Sequence, residues 1–105
     1  MQNIHPIIDK IVNANSGTYI IFFVYQCRYS MEALNLLRNS KVRYKGYDIN
    51  DINGINGNIG KLLEILNRYS DIINFDRQHK TKPIIFLDGK FIGGYNELAK
   101  RISVV

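Results

Sequence analysis

The stretch from Thr18 to Tyr25, Thr-Tyr-Ile-Ile-Phe-Phe-Val-Tyr, limits the fold more than any other part of this chain. It is β-branched, aromatic and apolar at odd and even positions alike. Side chains on a strand alternate between two faces, so a strand with no polar face has to be covered on both. That places it at the centre of a sheet with a layer on either side. It is no membrane span, because the apolar run from Tyr19 to Tyr25 is far shorter than the about 20 residues a helix needs to cross a bilayer. The opening Met1-Gln2-Asn3-Ile4-His5-Pro6 lacks a basic region followed by a long apolar stretch, so no secretory leader is expected.

The rest of the chain supplies the covering layers. Ile7, Ile8, Ile11 and Val12 behind Pro6 predict a short amphipathic helix ending near Asn13, with Asn15-Ser16-Gly17 as its breaker. After a turn at Gln26-Cys27, Met31, Leu34 and Leu37 mark one face of a helix over 28–38. Val42 to Ile49 reads as a second strand, less buried because charges interrupt it. A loop rich in Asn and Gly follows from Asn50 to Gly60, and then the clearest helical stripe, Ile59, Leu62, Leu63, Leu66 and Ile73. Two apolar runs, Pro83 to Leu87 and Lys90 to Ile92, flank Asp88-Gly89 and predict an antiparallel hairpin. Gly93-Gly94 ends it, and Glu97 to Ile102 makes a last short helix. The order α-β-α-β-α-β-β-α implies one α/β domain over residues 1–105, with 1–17 as an N-terminal helix and loop. Its sheet is expected to be small and mixed, with helices on both faces.

With 105 residues, 46% of them hydrophobic and 22% charged, the chain falls in the ordinary globular range. Its net charge of +5 is spread along the chain without a basic cluster, so no nucleic-acid partner is expected. Gly54, Gly57 and Gly60 stand three apart before Lys61, which matches neither G-x-G-x-x-G nor a phosphate-binding G-x-x-x-x-G-K-[ST] loop. The single cysteine, Cys27, permits no internal disulfide and suits a reducing compartment, so a cytoplasmic monomer away from membranes is the expectation. With one cysteine and two histidines, His5 and His79, the chain has no zinc-type ligand set, and His79 reads as a surface histidine rather than one brought near the site by the loop before Pro83.

A lone cysteine is ordinarily a small buried hydrophobe. Cys27, however, falls where the central strand ends and a helix begins, the edge of an α/β sheet at which ligands bind. The first turn of a helix offers unpaired N–H groups and the positive end of its dipole, and Arg28 adjoins it. Such surroundings favour the thiolate, which is the nucleophilic form.

Cys27-Arg28-Tyr29-Ser30 at a strand–helix turn resembles the C-x-Y-[CS] active site of the glutaredoxin family. Thr81-Lys82-Pro83 resembles that family's T-V-P segment, whose proline is cis. Ile84 to Gly94, with Asp88-Gly89 and Ile92-Gly93-Gly94, resembles its hairpin and glycine pair. The resemblance covers residues 18 to 103 and implies a thioredoxin-like fold with a four-stranded mixed sheet. It also implies a glutathione-dependent thiol oxidoreductase, with glutathione as co-substrate and glutathionylated proteins as partners. Cys27 would be the catalytic nucleophile, supported by Arg28, Tyr29 and Ser30. Lys82, Pro83, Tyr95 and Asn96 would bind glutathione. With Ser30 at the second position, the implied cycle is monothiol.

The chain departs from the family pattern at several points. Val24 stands where a Lys or Arg is common, Arg28 where Pro, Ser or Gly is usual, Lys82 where valine is usual, and Tyr95-Asn96 in place of a Cys-Asp or similar pair. Two alternatives follow. The first is a glutathione-bridged homodimer holding a [2Fe–2S] cluster through Cys27 of each chain. The second is a weakly active thioredoxin-fold interaction module.

Overall fold

The structure is a computed structural model and describes residues 4–102. The first and last three residues of the expected 1–105 domain lie outside the described residues. Helix α1 (Pro6–Val12) is opened by His5, whose Nδ1 accepts from the Ile7 N–H at 3.1 Å, with Pro6 at the first helical position. The other elements are β1 (Tyr19–Phe23), α2 (Arg28–Asn39), β2 (Tyr44–Asp48), α3 (Ile59–Arg68), α4 (Ser70–Ile73), β3 (Ile84–Leu87), β4 (Lys90–Gly93) and α5 (Tyr95–Ile102). A single 3-10 turn, Ile49–Asp51, follows β2.

The sheet order is β2-β1-β3-β4, with β1 parallel to β2 and antiparallel to β3. All five residues of β1 are buried, as the unbroken apolar run requires. Its alternation divides the core in two. Ile20 and Phe22 join Ile84 and Phe86 under α1, α3 and α4. Tyr19, Ile21 and Phe23 join Ile85 under α2 and α5, through Leu34, Leu37 and Leu98. Each large apolar side chain so buried contributes roughly 1.5–3 kcal/mol, which makes β1 the axis on which both layers depend. The result is the expected thioredoxin-like α/β arrangement: four mixed strands with helices on both faces.

The hairpin turns as its Asp-Gly pair predicts, with Asp88 at φ 52° and Gly89 at φ 81°, both left-handed as a type I′ turn needs. Asp88 also accepts from the Gly17 N–H at 2.7 Å, tying the loop before β1 to the hairpin.

Several boundaries differ from the sequence expectation, and β2 spans only Tyr44–Asp48 of the expected Val42 to Ile49 because Ile49 opens the 3-10 turn. Strand β1 stops at Phe23, because the Val24 carbonyl accepts from the Cys27 N–H at 3.2 Å and turns the chain toward α2. The stripe from Ile59 to Ile73 is two helices rather than one. The chain bends at Tyr69, whose carbonyl accepts from both Ile72 and Ile73, and α4 ends at Asn74 in the left-handed conformation. Finally, α5 starts at Tyr95 rather than Glu97.

Candidate active site

Cys27 is the N-cap of α2, in extended conformation (φ −97°, ψ 121°), with no side-chain cap of its own. The turn after β1 and the first turn of the helix leave its thiol half-buried. Across from it runs the loop before β3, where the Lys82–Pro83 peptide bond is cis and the Lys82 carbonyl faces the thiol. As a thiol, Cys27 Sγ donates to that carbonyl over 3.7 Å. As a thiolate it would lose this donor role and keep the acceptor contacts from α2.

Those contacts decide its acidity. Burial pushes the thiol up, but the Ser30 N–H, the Ser30 hydroxyl, the Tyr29 N–H and the charge of Lys82 outweigh it. The net result is a thiol below its ordinary pKa. Ser30 is fully buried, and its Oγ accepts from the Val24 N–H at 3.3 Å, which fixes the oxygen that serves the thiol. Arg28 plays a smaller part than its place in the sequence suggests. Its side chain is 84% exposed and turned to Glu32 at 3.7 Å, one turn further along α2. The cation that acts on the thiol is Lys82 instead.

Beside the thiol lies a cleft of about 280 Å³ lined by Tyr29, Lys82, Tyr95 and Asn96, together with His79, Thr81, Gly94 and Glu97. The fold therefore brings together the sequence-derived residues Cys27, Tyr29, Ser30, Lys82, Pro83, Tyr95 and Asn96. Tyr29 is 55% exposed, and its ring lies 6.2 Å from that of Tyr95. Val24 is 7% exposed within the α1–α3 core, so its position contributes no charge.

Two residues outside the sequence-derived set also shape this cleft. His79 is half-buried, not a free surface residue. Its Nε2 lies 3.3 Å from the Pro83 carbonyl, and its ring packs edge-on against Phe91 at 5.0 Å. Glu97 accepts from the Gly94 N–H at 2.8 Å, a carboxylate three residues into a helix reaching back to its N-cap. That Gly-x-x-Glu spacing was the available signal for the true start of α5.

Among the described residues no group of three or more His, Cys, Asp or Glu is placed to hold a metal ion. An iron–sulfur cluster would have Cys27 as its one thiolate from this chain. Among the described residues, too, no helix is long and apolar enough to cross a membrane.

No family model matches the chain. It is 46% identical over 99 residues to a protein of Acanthamoeba polyphaga mimivirus described as a probable glutaredoxin, covering 94% of this chain and 91% of that one. Among solved structures it resembles the dithiolic glutaredoxin 2-C-Grx1 of Trypanosoma brucei brucei, with a TM-score of 0.68 and 20% identity over 94% of this chain and 88% of that one. It also resembles buckwheat glutaredoxin in a glutathione complex, with a TM-score of 0.64 and 22% identity over 89% and 73% of the two chains.

Proposed function

The chain belongs to the glutaredoxin family and is a glutaredoxin-like thiol oxidoreductase, and on that premise we propose that it runs a monothiol cycle in which Cys27 removes glutathione from mixed disulfides. The observation that carries this reading is the placement of Cys27. Its sulfur stands at the unpaired N-terminus of α2, 3.7 Å from the Lys82 carbonyl, with Ser30 where a dithiol enzyme has its second cysteine.

The Cys27 thiolate attacks the glutathione sulfur of the mixed disulfide. A Cys27–glutathione disulfide forms, the bond to the protein sulfur breaks, and the released protein thiolate takes a proton from solvent. A second glutathione, as thiolate, attacks the glutathione sulfur held on Cys27. Oxidised glutathione leaves, and Cys27 returns as a thiolate. The net exchange consumes one glutathione thiol and one mixed disulfide and yields one protein thiol and one glutathione disulfide. The α2 N–H groups and the Ser30 hydroxyl stabilise Cys27 both as attacking thiolate and as leaving group.

The tripeptide fits the cleft beside Cys27. An extended peptide pairs with the Lys82 backbone as an added strand would. Tyr29 and Tyr95 wall it, and the start of α5 at Tyr95 and Asn96 turns helix N–H groups toward its γ-glutamyl carboxylate. Lys82 supplies the positive charge that buried Val24 does not. The buckwheat neighbour, solved as a glutathione complex, supports the same use here.

The test is glutathione-dependent turnover of a glutathionylated peptide, wild type beside Cys27→Ser. Turnover in the wild type that falls to background in the variant is the expected result. Turnover that survives the substitution, or none from folded wild type, overturns the proposal.

A further inference from the structure

Cys27 follows the central strand, and the glutathione cleft occupies only one side of it, toward β3 and β4. On the other side, toward β2, lies a larger cleft of about 690 Å³, within the size range of ligand sites. Phe23, Tyr25 and Tyr47 line it, and Lys10, Asp48 and Asp51 are its charged groups. Tyr25 stands two residues before Cys27, is 62% exposed, and meets Phe23 edge-on at 5.0 Å. Among the described residues strand β2 pairs only with β1, which leaves its outer edge unpaired on the side of this cleft.

The charge is also distinctive. Two carboxylates face one ammonium in a chain whose net charge is +5. Lys10 sits over the Tyr47 ring at 5.7 Å, and Asp48 accepts from the Asn50 N–H at 3.0 Å. Asp51 is exposed and has no ion-pair partner among the described residues.

We propose that this cleft receives the protein half of the mixed disulfide, as an extended segment carrying one apolar side chain and one Lys or Arg beside its glutathionylated cysteine. The inference rests on the deglutathionylation reading above. A mixed disulfide at Cys27 has two arms. With glutathione on the β3–β4 side, the protein arm leaves over the β2 side, where Tyr25 is the cleft residue nearest Cys27 in sequence. The aromatic walls take its apolar side chain, the open β2 edge pairs with its backbone, and Asp51 takes its cation. As Cys27 bonds to the glutathione sulfur and the protein thiolate departs, this grip is what the enzyme has to release.

Two substrates that share glutathione and differ in the other half test this. One is a glutathionylated peptide with Phe and Arg beside its cysteine, and the other is the mixed disulfide of glutathione with cysteamine. In Tyr25→Ala, kcat/KM for the peptide is expected to fall about tenfold, the loss of one aromatic anchor, while the cysteamine substrate is unaffected. Asp51→Lys should cost the Arg peptide about threefold and reverse the preference toward a peptide with Glu in that place. No loss with the peptide, or equal losses on both substrates, overturns the inference and leaves the deglutathionylation reading standing. A wild type that turns over neither substrate overturns both.

Discussion

Two helices begin at the cleft beside the thiol, α2 at Cys27 and α5 at Tyr95, and their first turns are built in opposite ways. The start of α5 is closed: Gly94 caps it, and the Glu97 carboxylate returns to the Gly94 N–H at 2.8 Å. The start of α2 is left open. Its N-cap side chain makes no capping hydrogen bond, its first turn holds no acid, and Ser30 takes the position at which Glu97 stands in α5. A carboxylate at position 30 would repel a thiolate, and the Cys27 N–H it would reach is already given to the Val24 carbonyl. A buried hydroxyl leaves the donors to the sulfur and adds one of its own. The α2 turn forgoes a cap commonly worth about 0.5–2 kcal/mol, and it gains an acidic thiol.

The largest expected effect comes from breaking the closed turn. Gly93 has φ 130°, a conformation that L side chains rarely adopt, and a Cβ there would stand 2.5 Å from Glu97 Cγ and 2.6 Å from its Oε1. Gly93→Ala must therefore strain the backbone and also displace the carboxylate that caps α5. A loss of about 2–4 kcal/mol is expected in denaturant unfolding. The rate of Cys27 alkylation against pH should hold its midpoint, because α2 and Ser30 are untouched. A midpoint that moves with Gly93→Ala would show that the two helix starts are coupled rather than independent.

Ser30→Ala breaks the open turn instead. It removes the hydroxyl that favours the thiolate, so the alkylation profile should move to higher pH. It also strands the Val24 N–H in the core, at a cost of about 1–3 kcal/mol. The sign of the pH dependence follows from the lowered thiol. A group whose folded pKa is depressed adds stability that is fully present above its unfolded value, about 8.5 for a thiol, and lost as pH falls through the folded value. The stability gap between wild type and Ser30→Ala should therefore widen as pH rises through that window. A gap that is flat with pH would mean that Ser30 serves only to pair with Val24.

The open turn was more legible in the sequence than the closed one, and the reason is chemical. A run apolar at every position, from Tyr19 to Phe23, could only be a doubly covered strand, so the cysteine after it had to stand at the sheet's ligand-binding edge. Thr81-Lys82-Pro83 and Gly93-Gly94 likewise announced themselves by residue type. The bend at Tyr69 left no trace, because Leu66 and Ile73 lie two helical turns apart and share a stripe with or without it. His79 was read as surface because nothing local reveals that the Pro83 carbonyl and the Phe91 ring would enclose it. The cleft at Tyr25 was equally hidden. It exists only once α1, the end of β1 and the edge strand β2 are assembled, and its lining spans positions 5 to 53.

The finest test of the contrast is the charge at Glu97. Glu97→Gln keeps an oxygen to accept from Gly94 and removes the negative charge, which costs the α5 dipole interaction about 0.3–1 kcal/mol of stability. The same carboxylate lines the cleft in which the carboxylates of glutathione are proposed to bind, so its charge opposes that binding. Across solvent-exposed distances the repulsion is small, and neutralising it should lower KM for glutathione about twofold at low salt, with kcat unchanged. The gain should vanish as salt rises, since exposed charges are screened beyond about 8 Å at physiological ionic strength. If KM stays fixed at every salt concentration, Glu97 is a cap and nothing more, and the closed turn is purely structural. If KM falls as expected, the cap that stabilises α5 also weakens glutathione binding. The two helix starts would then divide the work at one cleft, with α2 giving up stability for an acidic thiol and α5 giving up affinity for a fixed wall.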